Sequence, residues 1–311
     1  MHDLPSGATS RHELLTPTRR TAIERTISVE LGRRWQVTST VDLDALASHP
    51  SAILSDGELG RQLVECVRAG DELREHAELA GLRRLTDLAA VRTPGVVGPG
   101  VIEVDGGAVL LLEPIPSVAR TPEGWRAVGR MLAAIHRVHA DEFGDEANGW
   151  FGPLHLDNRP LPGATWAEFY VERRVWPRLV AAIEAGAVPS EVARRVERLV
   201  HRIGELAGPD VAPSLLHGDA QQNNFISSPD GPVAIDPAVH FGHPEVDLSI
   251  VELFAPVPSD LFDGYREVGT IHDGFDDRRD LWRVFAHLAV VTVGGSAHLR
   301  PLVDALARYV D

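Results

Sequence analysis

Apolar side chains recur at Ala22, Ile23, Ile27, Val29 and Leu31, a roughly helical spacing that predicts a helix over residues 18–35, closing near Gly32. Residues 36–46 read as a strand. The run Ala52-Ile53-Leu54, then Asp56-Gly57-Glu58-Leu59-Gly60, then residues 63–67, reads as strand, turn, strand. A second helix is predicted over residues 71–86, where Leu73, Ala77, Ala80, Leu82 and Leu85 are set among charged residues. Residues 94–100 are rich in Gly and Pro and lack the Gly-Lys-Ser/Thr ending of a phosphate loop, so they read as a turn. Residues 101–104 and 108–112 then form a predicted hairpin around Asp105-Gly106-Gly107. The polar, Pro- and Gly-bearing residues 1–17 are expected to form a flexible tail.

Beyond this point the pattern turns helical. Residues 123–140 carry Val128, Met131, Leu132, Ile135 and Val138 on one face. His136 and His139 read as packing or surface residues, because no Cys or carboxylate partner shares their spacing. Trp166 and Phe169 are assigned to the core. Residues 189–206 form another amphipathic helix, and Glu245 and Asp247 open a helix over 248–254. Neither internal repeats nor low-complexity tracts occur.

Composition narrows the function. The chain has 311 residues, 44% of them hydrophobic, enough for one large or two moderate domains. A net charge of −15 argues against nucleic-acid binding and against adhesion to anionic membranes. The single cysteine, Cys66, excludes an intrachain disulfide framework and suits a reducing cytoplasm. No leader pattern and no apolar run of about 18 residues is apparent, so a soluble cytoplasmic protein is expected. All 30 basic residues are arginine.

The chemistry concentrates in Leu215-Leu216-His217-Gly218-Asp219-Ala220-Gln221-Gln222-Asn223-Asn224-Phe225 and the following Val233-Ala234-Ile235-Asp236-Pro237. The intervening Ser228-Pro229-Asp230-Gly231 has turn composition, so the geometry reads as loop, strand, turn, strand, with Asp219, Asn224 and Asp236 at one end. Asp219 lies on a loop, where it can face a hydroxyl. Asn224 and Asp236 offer hard oxygen ligands suited to Mg²⁺. One carboxylate to take a hydroxyl proton, with two oxygen ligands for a cation, is the division of labour that phosphoryl transfer needs. A lone His-Gly-Asp is more often an ordinary turn; the correctly spaced amide and second carboxylate favour a site.

These residues resemble the catalytic core of the aminoglycoside phosphotransferase and fructosamine kinase group, and fructosamine kinases above all. Their hallmark is matched by Asp236-Pro237-Ala238-Val239-His240-Phe241-Gly242-His243-Pro244-Glu245-Val246-Asp247-Leu248. A second resemblance joins Asn158, the Trp166-Ala167-Glu168-Phe169 helix and Arg174-Val175-Trp176-Pro177. The likeness runs from about residue 63 to the end and is firmest over 158–253. It implies an α+β, protein-kinase-like fold of two lobes: residues 1–113 on the nucleotide side, and 114–311 carrying the catalytic loop, metal site and acceptor site. It implies an ATP- and Mg²⁺-dependent kinase for a hydroxyl of a ketosamine or related sugar-amine, with no nucleic-acid or membrane partner. Asp219 would be the base, and Asn224 and Asp236 the metal ligands. Glu78, with Glu75 as fallback, would organise the small lobe. Glu113 and Ile115 would meet adenine through backbone groups at the hinge. Gln221, Gln222, Asn158 and Arg174 would belong to the substrate region, and His217 and Asp247 would brace the loop.

The chain departs from that family in two ways. The lysine that grips the nucleotide phosphates is missing, its place falling at Glu65 or Cys66, and Arg68 or Arg61 would have to supply the charge. Arginine is a bulkier, forked donor and no neutral replacement. Second, Ala220-Gln221-Gln222-Asn223 stands where the family often has Leu-Trp-x-Gly, which puts the sugar-amine acceptor in question more than the transfer. An aminoglycoside phosphotransferase and a non-catalytic nucleotide-binding pseudokinase are therefore the alternatives.

Overall fold

The computed structural model describes residues 12–43, 50–57, 61–66, 72–104 and 106–310, which group into two units. The first comprises the chain up to 86, residues 92–119 and 226–235; the second comprises 87–91, 120–225 and 236 onward.

In the first unit, β1 (Ser39–Asp42), β2 (Ser51–Ser55), β3 (Arg61–Cys66), β4 (Val96–Val104) and β5 (Gly107–Leu112) form an antiparallel sheet in the order β1-β2-β3-β5-β4. Helices α1 (Pro17–Glu30) and α2 (Glu72–Ala89) supply the helical part. The run Ala108 to Leu112 is apolar throughout because both its faces are covered. Val109 and Leu111 pack with Ile23 and Ile27 of α1, whereas Ala108, Leu110 and Leu112 pack with Leu79 and Leu82 of α2. The period-two side-chain alternation of a strand divides one sequence between two cores.

Helix α1 starts where Thr16 accepts a bond from the Arg19 N–H and Pro17 takes the first turn, a position that needs no N–H. It ends before Gly32, whose φ of +62° suits glycine. The stretch read as a turn over 94–100 instead feeds β4 from Val96. Its pairing with β5 shifts register between Val96 and Val101, and Gly98 and Gly100 take positive φ there, so this is a bulged strand.

The second unit contains α3 (Pro122–His136), β6 (Gly149–Phe151), β7 (Leu154–Leu156), α4 (Trp166–Tyr170), α5 (Trp176–Glu184), α6 (Ser190–Val200), α7 (Ile203–Leu206) and β8 (Ser214–Leu216). After the hairpin β9 (Phe225–Ser228) and β10 (Gly231–Ala234) come β11 (His240–Gly242), α8 (Pro244–Ile250), α9 (Ser259–Arg266), α10 (Phe275–Gly294) and α11 (Leu299–Ala307). Its core centres on Trp166, Phe169, Tyr170, Trp282 and Phe285, with the apolar faces of α5, α6, α10 and α11 around them. Between α4 and α5 the chain takes a wider π turn over Val171–Val175.

Several boundaries differ from the sequence reading: α1 ends at Glu30 rather than 35, the strand expected from 36 starts at Ser39, and Leu14 of the expected tail is buried in the core of the first unit. The helix expected over 123–140 stops at His136. The one expected over 189–206 breaks after Val200, where the Arg202 N–H turns back to Leu199 O at 2.8 Å. Helix α8 begins at Pro244 rather than 248, because His243 Nδ1 accepts the Glu245 N–H and caps it.

Candidate active site

Two short strands set the frame. β8 and β11 pair antiparallel, with His240 opposite Leu216, Phe241 opposite Leu215 and Gly242 opposite Ser214. Past Leu216 the chain enters His217-Gly218-Asp219; ahead of His240 it leaves Asp236. The Ala238 N–H donates to His217 O at 2.8 Å, which closes the two segments onto each other. This contact admits only glycine at 218: its φ is +82°, and a Cβ there would lie 2.0 Å from Ala238 O.

Asp247, fully buried in α8, fixes the loop from beneath. Its carboxylate accepts the His217 N–H at 2.7 Å and the Gly218 N–H at 3.0 Å. His136 Nε2 lies 3.1 Å from the same carboxylate, and its Nδ1 lies 2.8 Å from the Tyr265 hydroxyl. Burial alone pushes the Asp247 carboxyl up, but the bonds from His136 and the loop outweigh it and hold the group below its ordinary value. His217 is itself fully buried, its ring 5.1 Å from that of Phe225.

Asp219 sits on this braced loop with 7% of its surface exposed. Gln221 Nε2 donates to its Oδ2 at 3.4 Å, while its Oδ1 is buried and accepts no hydrogen bond. Burial, followed by the nearby Asp236 carboxylate, pushes the Asp219 carboxyl up to about 7. A buried, bare carboxylate oxygen is what a proton acceptor facing an incoming hydroxyl requires.

Asn224 closes the short turn Gln222–Asn224 that leads into β9. Its Nδ2 donates to Asp219 O at 2.8 Å, so the amide oxygen is the face left for a cation. The β9–β10 hairpin then carries the chain back to Asp236, a non-glycine residue at φ +52°. Such a conformation costs roughly 1–3 kcal/mol and collects at functional sites. Among the described residues no group of three His, Cys, Asp or Glu side chains converges on a metal position. A cation here would therefore take two protein oxygens, Asn224 and Asp236, and complete its shell from phosphate and water, as Mg²⁺ does. The donor set fits: both ligands are hard oxygens, and the mutual repulsion of Asp219 and Asp236 is what a cation relieves.

The other predicted residues lie as follows. Gln221 and Gln222 are half-buried on the loop, and Gln222 Nε2 donates to Ala255 O at 3.0 Å. Asn158 and Arg174 are buried and joined at 2.5 Å, and a second Arg174 nitrogen donates to Asp157 O. Burial pulls the Arg174 guanidinium down to about 9. The pair holds loops together, since Asn158 O accepts the Asp145 N–H next to Gly144, which bonds Phe241 of β11 in both directions. The pair presents almost no surface of its own. Glu75 and Glu78 are both buried on α2 in the first unit, not solvated. In that unit the Glu113 N–H donates to Gly95 O at 2.7 Å, which leaves its carbonyl and the half-buried Ile115 to offer backbone groups. Arg68 lies outside the described residues, and nothing is described of the Arg61 side chain.

Two contributors escaped the sequence reading: His136 and Tyr265. Of these only His136 left a signal, one helical turn beyond Leu132 on the apolar face of α3.

Comparison with known proteins identifies the family and the fold. The fructosamine kinase family model matches residues 20–311. A probable ketoamine kinase of Thermus thermophilus is 30% identical over 265 residues, covering 85% of this chain and 93% of that protein. The crystal structure of a provisionally assigned fructosamine-3-kinase from Thermobifida fusca superposes with a TM-score of 0.79 at 29% identity, over 92% of this chain and 98% of that one. An aminoglycoside phosphotransferase shares the fold at a TM-score of 0.58 and 15% identity, over 92% and 96% of the two chains.

Proposed function

The chain belongs to the fructosamine kinase family, phosphotransferases with an alcohol acceptor, and from that premise we propose that it transfers the γ-phosphoryl group of ATP to a hydroxyl of a ketosamine. The observation that carries this reading is the buried, unbonded Oδ1 of Asp219 beside Asn224 and Asp236.

Asp219 Oδ1 accepts the acceptor's hydroxyl proton as that oxygen bonds to the γ-phosphorus and the bond to the ADP oxygen breaks. Asp247 and His217 keep the loop in place. Asn224 and Asp236 would hold Mg²⁺, which when bound neutralises phosphate charge. Adenine would meet the backbone of Glu113 and Ile115, Glu78 would organise residues 1–113, and Arg68 is the proposed phosphate cation in place of lysine. Gln221 and Gln222 line the acceptor side, with Asn158 and Arg174 supporting it. Residues 114–311 hold the catalytic, metal and acceptor groups. The lone Cys66 suits the cytoplasm as the proposed location.

The test is Mg²⁺-dependent ADP release, with and without a panel of ketosamines and aminoglycosides, in the native protein and Asp219→Asn. Release that needs a ketosamine and falls by at least ~10³-fold in the variant is expected, since base and alignment are lost together. Undiminished turnover in Asp219→Asn would refute the assignment of the base. Response to aminoglycosides alone would move the acceptor class. Tight nucleotide binding without release on any acceptor would favour the non-catalytic reading that the missing lysine suggests.

A further inference from the structure

The catalytic loop is held from a side that the family motifs do not mark. Arg120 lies two residues ahead of α3. Its Nη1 donates to Gln222 O at 3.1 Å, and its Nη2 donates to Phe225 O. Those carbonyls stand on either side of Asn224. The guanidinium also lies over the Trp125 ring, 4.3 Å from its centroid.

Each part of this arrangement has a physical reason. A turn of three residues ends with carbonyls that have no partner inside it, and these present partial negative charge. The fork of a guanidinium reaches two such oxygens at once from one rigid plane. Stacking on Trp125 covers a face of that plane while leaving its N–H edges free for the carbonyls. Asn224 is thus constrained at three points: its N–H bonds Gln221 O at 2.9 Å, its Nδ2 bonds Asp219 O, and Arg120 ties the carbonyls flanking it. With Nδ2 committed and the backbone pinned, the amide oxygen has one place to be.

We propose that Arg120 is a positioning residue for Asn224, setting the amide oxygen where it serves a divalent cation. The inference rests on the reading of Asn224 as a metal ligand. Partners standing behind a ligand typically contribute 10–100-fold in metal affinity.

The experiment measures binding, not turnover. Affinity of the whole chain for AMP-PNP is determined by calorimetry without metal and with Mn²⁺, and free Mn²⁺ is followed by electron paramagnetic resonance. Amide exchange of the peptide spanning 220–226 is read in parallel. Arg120→Ala is expected to weaken Mn²⁺ binding about tenfold or more, leave metal-free nucleotide affinity within twofold, and speed exchange at Asn224. Arg120→Lys, which keeps a donor but loses the fork, falls between. In the double variant with Asn224→Ala, Arg120→Ala adds little, because both act on one oxygen.

Mn²⁺ binding that is unchanged in Arg120→Ala while Asn224→Ala weakens it overturns the role of Arg120 alone. Unchanged binding in Asn224→Ala overturns the ligand reading beneath it. Equal loss of metal-free and metal-bound affinity in Arg120→Ala and Arg120→Lys marks a structural residue only, and also overturns the proposal.

Discussion

Replacing Asp219 by asparagine is expected to stabilise the metal-free protein while removing its activity. Folding lifts this carboxyl from its ordinary 3.8 to about 7, first through burial and then through Asp236. The folded protein therefore keeps a proton at Asp219 that the unfolded chain gives up. From about pH 4 to about pH 7 wild-type stability falls as pH rises, and above that window the whole cost is present. A difference of about 3 pH units at ~1.4 kcal/mol each comes to roughly 4 kcal/mol. Asparagine keeps the shape and does not ionise, so it lacks this slope. Urea unfolding in chelator at pH 4, 6 and 8 measures it as the difference between the two proteins, in which the titrating groups that do not couple to Asp219 cancel. Any poorer fit of the amide adds a constant offset, so the quantity that decides is the change in the difference with pH. The variant should gain on wild type by roughly 3–4 kcal/mol between pH 4 and pH 8. A difference flat in pH, or largest in acid, would refute the claim that Asp219 is held bare and desolvated.

Two further outcomes follow from the frame around it. Gly218→Ala should destabilise the protein by roughly 2–5 kcal/mol and abolish turnover, combining left-handed backbone strain with overlap onto Ala238 O; a melting temperature within a degree of wild type would contradict this. Glu245 accepts two bonds from Arg278 and one from the Trp282 indole. Burial pushes its carboxyl up, but Arg278 and its neighbours outweigh this and leave it below 4.5, so its stabilisation is present above that pH and lost as pH falls. Glu245→Gln should therefore be weaker by about 3 kcal/mol at pH 7 in urea unfolding, with the deficit shrinking toward pH 4; a deficit that grows on acidification would contradict this.

The parts of the site visible in the sequence were local ones. Asp219, Asn224 and Asp236 are set by a loop and a hairpin whose turn residues sit between them, so spacing alone brings them together. The β8–β11 pair escaped notice because each strand is three residues long, too short to show a period. His136 finds Asp247 111 residues away and Arg120 finds Gln222 102 residues away, and no local pattern encodes such partners. The first unit shows the reverse failure. Val29 and Leu73, counted toward apolar faces, are 77% and 67% exposed, whereas Glu75 and Glu78 are buried. Apolar periodicity misreads a helix whose hidden face carries carboxylates.

The ion pairs that tie the second unit together, Arg278 to Glu245, Arg279 and Arg283 to Glu252 and Arg308 to Asp280, all use guanidinium groups, as they must in a chain without lysine. Reducing sugars build ketosamines on primary amines, and a guanidinium is not one. A protein whose relatives handle sugar–amine adducts thus carries no side chain on which such an adduct forms. When it is incubated with glucose beside lysine-bearing proteins, its side chains stay free of the ketosamines that form on theirs.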